Sequence, residues 1–280
     1  MKKILVTGSN GFVGTHLLKS LYEGGDKKVY TLSRSGGGYN HFSSDILKFN
    51  KYGDYDVIYH LAAAIYPSEC ERDPYHAWLV NAEGTRHIAS HLSKGQHLIY
   101  PSTSHVYDYS TNKKFISEDA PLHPSNVYGL TKLLGEKSIK DLSDRQGFSN
   151  TILRIFHAYG PGQKEGQLIT DVIKKITEQN EIVIRGSNNY ISPVYIDDLV
   201  EVLTNNQIPP EVYNVCGNCI SVEEIYRVIG AMVGNSNILS DPTPSDKKYM
   251  CGNREKISQY KKNWFSLEEG VSRIMNMKKY

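Results

Sequence analysis

The stretch Ile4-Leu5-Val6-Thr7-Gly8-Ser9-Asn10-Gly11-Phe12-Val13-Gly14 decides the fold. Three apolar residues read as a buried strand. The glycines that follow fall as G-x-x-G-x-x-G and open an amphipathic run, Gly14 to Tyr22, that reads as a helix. Gly8 permits a tight turn, Gly11 lets backbone approach a pyrophosphate with no Cβ in the way, and Gly14 lets the helix pack close to the strand. The helix N-terminus then turns free N–H groups and a positive dipole end toward the phosphates.

Outward from that stretch, short β-rich runs alternate with amphipathic ones. Val29–Leu32, Val57–Leu61, His97–Tyr100 and Thr151–Ile155 read as strands, and Asn81–Leu92 and Tyr128–Leu142 as helices. Strands separated by helices pair in parallel, since each crossover lays a helix on a sheet face. The fold class expected is therefore α/β, a Rossmann-like doubly wound parallel sheet with a smaller interleaved α/β substrate-binding cap. The NAD(P)-binding Rossmann domain is expected over 1–165, rejoined by about 194–217, and the cap mainly over 166–280. In the second half, Leu168–Glu178, Tyr195–Leu203 and Val222–Val233 read as helices, Ile182–Ile184 and Tyr213–Val215 as strands, and Ser266-Leu-Glu-Glu269 as a capping box.

Composition excludes several classes. The 280 residues carry 32 basic and 30 acidic side chains, a formal net charge of +2, which offers no broad nucleic-acid-binding or membrane-binding surface. No apolar run approaches the ~20 residues of a membrane span, and the apolar start stops at Thr7-Gly8, too soon for a signal peptide. A cytoplasmic protein is expected, without nucleic-acid or membrane partners. Of the cysteines Cys70, Cys216, Cys219 and Cys251, the pair Cys216-Gly-Asn-Cys219 lacks the second ligand pair of a zinc site, so no metal is expected and all four read as reduced structural thiols.

The second strand bears on the cofactor. It ends Thr31-Leu32-Ser33-Arg34-Ser35, with no acid to grip a ribose 2′-OH and with a cation that suits a 2′-phosphate. NADP is therefore preferred over NAD. Tyr128-Gly-Leu-Thr-Lys132 is Y-x-x-x-K at the start of a helix, and i,i+4 spacing sets both side chains on one face. A phenol titrates near pH ~10, and a neighbouring cation lowers that value. Tyr128 is thus expected to move the proton of a hydroxyl or ketone while a nicotinamide carries the hydride.

With these residues in view, the chain resembles the extended short-chain dehydrogenases/reductases of the nucleotide-sugar epimerase/dehydratase/reductase family, nearly end to end. Thr7–Gly14 is similar to the family's T-G-x-x-G-x-x-G, and His60-Leu61-Ala62-Ala63 to its H-x-A-A. Pro101–Tyr107 resembles the S-S-x-x-V-Y-G region, Arg154–Gly162 resembles R-x-x-N-x-Y-G-P-G, and Val194–Leu199 resembles V-Y-V-D-D-L. Asn81 sits where the family has a structural Asn. The resemblance implies a catalytic set of Thr103, Tyr128 and Lys132, with Thr103 bonding the substrate oxygen. It implies cofactor binding by Gly8, Asn10, Gly11, Phe12, Val13, Gly14, Ser33, Arg34, Asp45, Ile46, Leu61, Ala62 and Ala63, with Tyr128 and Lys132, and Asp45 at the adenine. Ser104, His105, Phe156 and His157 are implied at the substrate, a nucleotide-linked sugar. A homodimer built through two helices is also implied.

Departures from the pattern narrow the reaction. Ser104-His105 stands where the family's 4,6-dehydratases carry Asp-Glu, which disfavours dehydration. His105 occupies the slot of a proton-handling cysteine in GDP-fucose synthases, although a His bonding backbone or a substrate phosphate is the preferred reading. Tyr190-Ile-Ser-Pro193 lacks the family's pyrophosphate-binding Arg; Arg185, Lys247 and Lys248 are candidates to stand in for it, with a solvated surface charge the preferred reading of each. His157 replaces a common Asn. The reading placed first is reduction of a 4-keto nucleotide sugar. A nucleotide-sugar 4-epimerase with tightly held NAD comes second, and a non-catalytic dinucleotide-sensing protein is the alternative of another class.

Overall fold

The computed structural model describes residues 2–25, 28–36, 40–110, 114–179, 181–184, 187–235, 237–240 and 247–277. Within it the chain divides into two units. The first comprises 1–108, 119–154 and 202–213; the second comprises 109–118, 155–201 and 214–280.

The first unit is built on the expected strand–loop–helix start. Strand β1 (Lys3–Thr7) runs through the glycine loop into α1 (Phe12–Glu23), which buries Gly14, Leu17 and Leu21 at helical spacing. Then come β2 (Lys28–Ser33), the short β3 (His41–Ser43), β4 (Val57–His60), helices α2 (Pro67–Arg72) and α3 (Pro74–Trp78), and a π-helical turn over Leu79–Glu83 leading into α4 (Gly84–Ser90). Strand β5 (His97–Thr103), the long α5 (Val127–Gln146) and β6 (Ser149–Ile155) complete the unit's principal elements.

These strands and Val212–Val215 form one seven-stranded sheet in the order Val212–Val215, β6, β5, β4, β1, β2, β3. The pairs β1–β2, β1–β4, β2–β3 and β4–β5 are parallel, with Thr7 opposite both Leu32 and His60. The chain winds outward from β1 to β3 and then returns to the other side of β1 with β4. Strand order therefore reverses between β1 and β4, and a ligand crevice belongs beyond the carboxyl ends of those two strands. One sheet face is sealed by Leu5, Leu32, Ile58, Leu98, Tyr100 and Ile152, packed with Ile88 and Ile139 from the helices and Leu92 just after α4. That burial leaves the polar strand ends as the place where chemistry can sit.

The second unit contains the helices Leu168–Glu178 and Val222–Val233 with the bounds read from sequence, and Leu267–Met277 begins on the expected capping box. Ser266 N–H donates to Glu269 Oε2 at 2.7 Å and Glu269 N–H to Ser266 Oγ at 3.2 Å. Asn189–Ile191 pairs antiparallel with Ile220–Ser221 and parallel with Lys248–Met250. The helix expected from Tyr195 starts one residue later, because Val194–Tyr195 pairs in parallel with Ala158–Tyr159.

One expectation fails here. Cys219 and Cys251 form a disulfide, so not all four cysteines are thiols. The partners lie 32 residues apart in sequence but only 5.4 Å apart at Cα, since the strands beside them flank Asn189–Ile191 in one sheet. The bridge does not use the C-x-x-C pair; Cys216 is a buried free thiol.

Candidate active site

The loops after β1, β4 and β5 and the start of α5 meet at the switch point. Gly8 has φ +65°, and a Cβ on it would lie 2.5 Å from Ala62 N, so the glycine loop and the loop after β4 pass with no room for a side chain. Helix α1 begins at Gly11 without a side-chain cap. Its first-turn N–H groups therefore have no intrahelical acceptor and face outward as an anion site. Ser9 is 2% exposed, and its hydroxyl has no hydrogen-bond partner among the described residues. A narrow backbone cradle, an uncapped helix start and an orphaned buried hydroxyl fit a dinucleotide pyrophosphate.

A buried polar chain fixes these loops. Thr85 donates its hydroxyl hydrogen to Asn81 O at 2.7 Å, so its oxygen accepts from His60 Nε2 at 3.0 Å. His60 Nδ1 is then an acceptor and takes the Thr7 hydroxyl at 2.9 Å, while Thr7 Oγ1 accepts the Ala62 N–H at 3.2 Å. His60 is thereby held as the neutral Nε2–H tautomer. Burial, and then the charge of Lys132, push its pKa down to about 3. Asn81 pairs with both backbone groups of Ala64 at 2.9 Å and donates to Thr131 Oγ1 at 3.1 Å. This one amide ties the loop of Leu61, Ala62 and Ala63 to the helix turn carrying Tyr128 and Lys132.

Helix α5 is placed by its cap and by two close approaches. Asn126 Oδ1 accepts Gly129 N–H at 2.8 Å. A Cβ on Gly129 would collide with His105 O at 2.2 Å, and one on Gly135 with the Tyr100 hydroxyl at 2.6 Å. The cap orients the Asn126 amide, whose Nδ2 then donates to His105 Nδ1 at 3.0 Å and sets that imidazole as Nε2–H as well. The His105 ring stands edge-on to Tyr128 at 5.6 Å.

Tyr128 hydrogen-bonds Thr103, so these two expected residues come together. Lys132 is 2% exposed and lies over the face of Tyr100, 3.9 Å from the ring centroid. The expected acidification of the phenol is not found. Burial pushes Tyr128 up to about 12 against the opposing Thr103 hydrogen bond, and the nearby Cys70 thiol adds to the rise. Burial likewise pushes Lys132 down to about 7, opposed by Glu136. Desolvation penalises the charged form of each and is the larger cause in both.

The remaining expected residues scatter. Asn10 Nδ2 donates to Ser33 Oγ at 3.1 Å and to Ser35 O, bracing the loop after β2. Arg34 is exposed there, and Phe12 and Val13 are half-buried on the first turn of α1. Asp45 Oδ1 accepts Leu47 N–H at 2.9 Å in a local turn, and the Ile46 side chain belongs to the core. Ser104 is buried beside Thr103. Phe156 and His157 belong to the second unit, where Phe156 is fully buried against Gly252 and His157 has φ +47°. Lys247 and Lys248 are exposed, and Arg185 lies outside the described residues.

Sequence reading missed Cys70 on α2, close to Tyr128, and the pairing of Glu136 with Arg154, close to Lys132. Helix α2 is short, and Pro67 at its start was its only signal. Glu136 continues the Y-x-x-x-K spacing by one more turn.

A switch-point cradle with a Thr–Tyr pair and a buried lysine defines a dinucleotide-dependent enzyme of the short-chain dehydrogenase/reductase class. Comparison narrows the class: residues 4–216 match the model of the NAD dependent epimerase/dehydratase family, and the chain belongs to that family. It is 29% identical over 222 residues to the spore coat polysaccharide biosynthesis protein SpsK of Bacillus subtilis, covering 79% of this chain and 75% of that one. It is 24% identical over 300 residues to a putative UDP-glucose 4-epimerase of Methanocaldococcus jannaschii, covering 99% and 98%. Among solved structures, the UDP-glucuronic acid 4-epimerase of Bacillus cereus in complex with UDP-glucuronic acid and NAD superposes with a TM-score of 0.83 at 26% identity, covering 98% and 99%. Among the described residues no helix is long and apolar enough to cross a membrane.

Proposed function

We propose that this protein is a nucleotide-sugar 4-epimerase, with Thr103, Tyr128 and Lys132 as its proton-handling set. The observation that carries the reading is the approach of Thr103, at the carboxyl end of β5, to Tyr128 at the start of α5, with Lys132 buried one turn on and the backbone cradle of Gly8, Gly11 and Gly14 after β1. Similarity over almost the whole chain to a putative UDP-glucose 4-epimerase and to a solved UDP-glucuronic acid 4-epimerase supports it over the reductase reading placed first from sequence.

In this reading the glycine loop and the start of α1 would hold the pyrophosphate of an NAD cofactor, and Leu61 to Ala63 would line its path. When bound there, NAD would supply the hydride chemistry at the sugar carbon. Tyr128 takes the proton of the sugar hydroxyl at its own Oη and gives it back, and Thr103 holds the same oxygen. Lys132, when protonated, favours the phenolate that Tyr128 must become. The test is Tyr128→Phe, assayed with UDP-glucose and UDP-glucuronic acid. Turnover should fall by at least ~10²-fold, as expected for loss of an acid–base group, with NAD binding kept. Undiminished turnover sinks the assignment.

A second reading, reduction of a 4-keto sugar by NADPH, is favoured by Arg34, which stands exposed after β2 where no carboxylate replaces it. Net consumption of reduced cofactor with a 4-keto sugar would select it; isomerisation without net consumption selects the epimerase.

We also infer a homodimer in the cytoplasm. Its support is an exposed strip on the first unit, where Tyr75 stacks on Trp78 and Leu130 and Leu134 lie open beside the mixed charges of Arg86 and Asp141. A sedimenting mass of one chain, unchanged by Leu134→Glu, would refute the dimer.

A further inference from the structure

Beneath Lys132 lies a buried charged group that the proposed function does not use. Glu136 sits one turn further along α5 and is 5% exposed. It receives Arg154 Nη2 at 2.8 Å, Arg154 Nε at 3.2 Å and the Ser102 hydroxyl. Arg154, on β6, also donates to the Tyr107 hydroxyl at 2.9 Å. Ser102 directly precedes Thr103, so one carboxylate joins the strand carrying Thr103 to the helix carrying Tyr128 and Lys132.

We propose that Glu136 is a positioning residue for Lys132: its clamped carboxylate fixes the lysine as a cation at the site. This rests on the reading of Tyr128 and Lys132 as the proton-handling pair. The groups facing Lys132 are the neutral His60 on β4, the Tyr100 ring on β5, and Tyr128 and Glu136 on α5. Arg154 and Tyr107 stand behind Glu136. Among these Glu136 is the near negative charge, and i,i+4 spacing brings its stem within about 6 Å of the lysine's own. Among the described residues Lys132 has no ion pair within 4.0 Å, so Glu136 acts through its field and not through a bond. Burial pulls the lysine toward neutrality and Glu136 opposes it. The hydrogen bonds from Arg154 and Ser102 hold that carboxylate in place on the inner face of α5.

The test reads Lys132 directly, in full-length protein made with carbon-13-labelled lysine. The Cε resonance is followed against pH and assigned by its loss in Lys132→Met. Glu136→Gln should lower the titration midpoint by at least about one pH unit, a tenfold loss of proton affinity. Ser102→Ala, which removes a hydrogen bond and keeps the charge, should leave the midpoint within about 0.3 units. A Glu136→Gln midpoint equal to the native one overturns the proposal. Should that variant fail to fold because Arg154 loses its carboxylate, Glu136→Gln/Arg154→Met removes both charges. Its midpoint should also fall, since the nearer charge lost is negative, and an unchanged value overturns the proposal. Because this measurement needs no turnover, it stands apart from Tyr128→Phe: retained activity there defeats the reading of the site and leaves the lysine's midpoint as measured.

Discussion

The carboxyl ends of β1 and β2 are neighbours in one sheet, yet they are built in opposite ways. At β1, Thr7 is fully buried and engaged by His60 and Ala62, and Gly8 touches the loop after β4. At β2, Ser33, Arg34 and Ser35 lie at the surface, braced by Asn10. The first end is tightly constrained, because Thr7 and His60 each have buried partners that would be costly to strand. The second is nearly free of such constraint. In the function proposed above, a fold built this way would keep its phosphate cradle rigid and leave cofactor choice to residues that can change at little cost to stability.

The largest effect expected from this contrast is at Gly8. Gly8→Ala imposes a positive φ on a residue with a Cβ and drives that atom into the backbone of Ala62. The loss should be about 3 kcal/mol or more in urea unfolding, with dinucleotide binding abolished. A folded variant that binds NAD normally would break the contrast at its strongest point.

A smaller effect belongs to His60. Its pKa in the folded protein, about 3, lies below the ordinary 6.5, so the unfolded chain binds the extra proton. The stabilisation is complete above the unfolded value and is lost as pH falls from about 6.5 toward 3. Unfolding free energy measured from pH 7 to pH 4 should drop by on the order of 2–3 kcal/mol more in the native protein than in His60→Gln. Equal slopes would show that His60 is not held neutral.

The smallest stability change is expected at Arg34. Arg34→Ala should alter unfolding by less than about 0.5 kcal/mol, as exposed sites do. If Arg34 selects a 2′-phosphate, the variant loses at least about tenfold in NADPH affinity and none in NADH affinity. Equal binding of both cofactors by both proteins removes the case for NADP.

Much of the first unit was legible in the chain because its signals are local. A glycine spacing after an apolar run marks a turn and a helix start, period-2 and period-3.6 patterns mark strands and helices, and Tyr128 and Lys132 share a face by helix geometry alone. Asn126, Gly129 and Gly147 bound and seat α5 with residues that cap, approach closely or adopt φ +77°. Helices α2 and α3 were missed, being five or six residues long and begun by Pro67 and Pro74. Chain periodicity is too short there to register.

The amino-acid order by itself determined the strand–loop–helix start, the parallel sheet and the candidate pair on α5, because hydrophobic period and glycine placement act between near neighbours. Only the tertiary structure decided which cysteines join, that His60 is neutral, that Glu136 answers to Arg154, and that Tyr128 is pushed up rather than down. Those outcomes depend on burial and on partners brought from distant segments, and desolvation is a property of the packed protein that no local pattern contains.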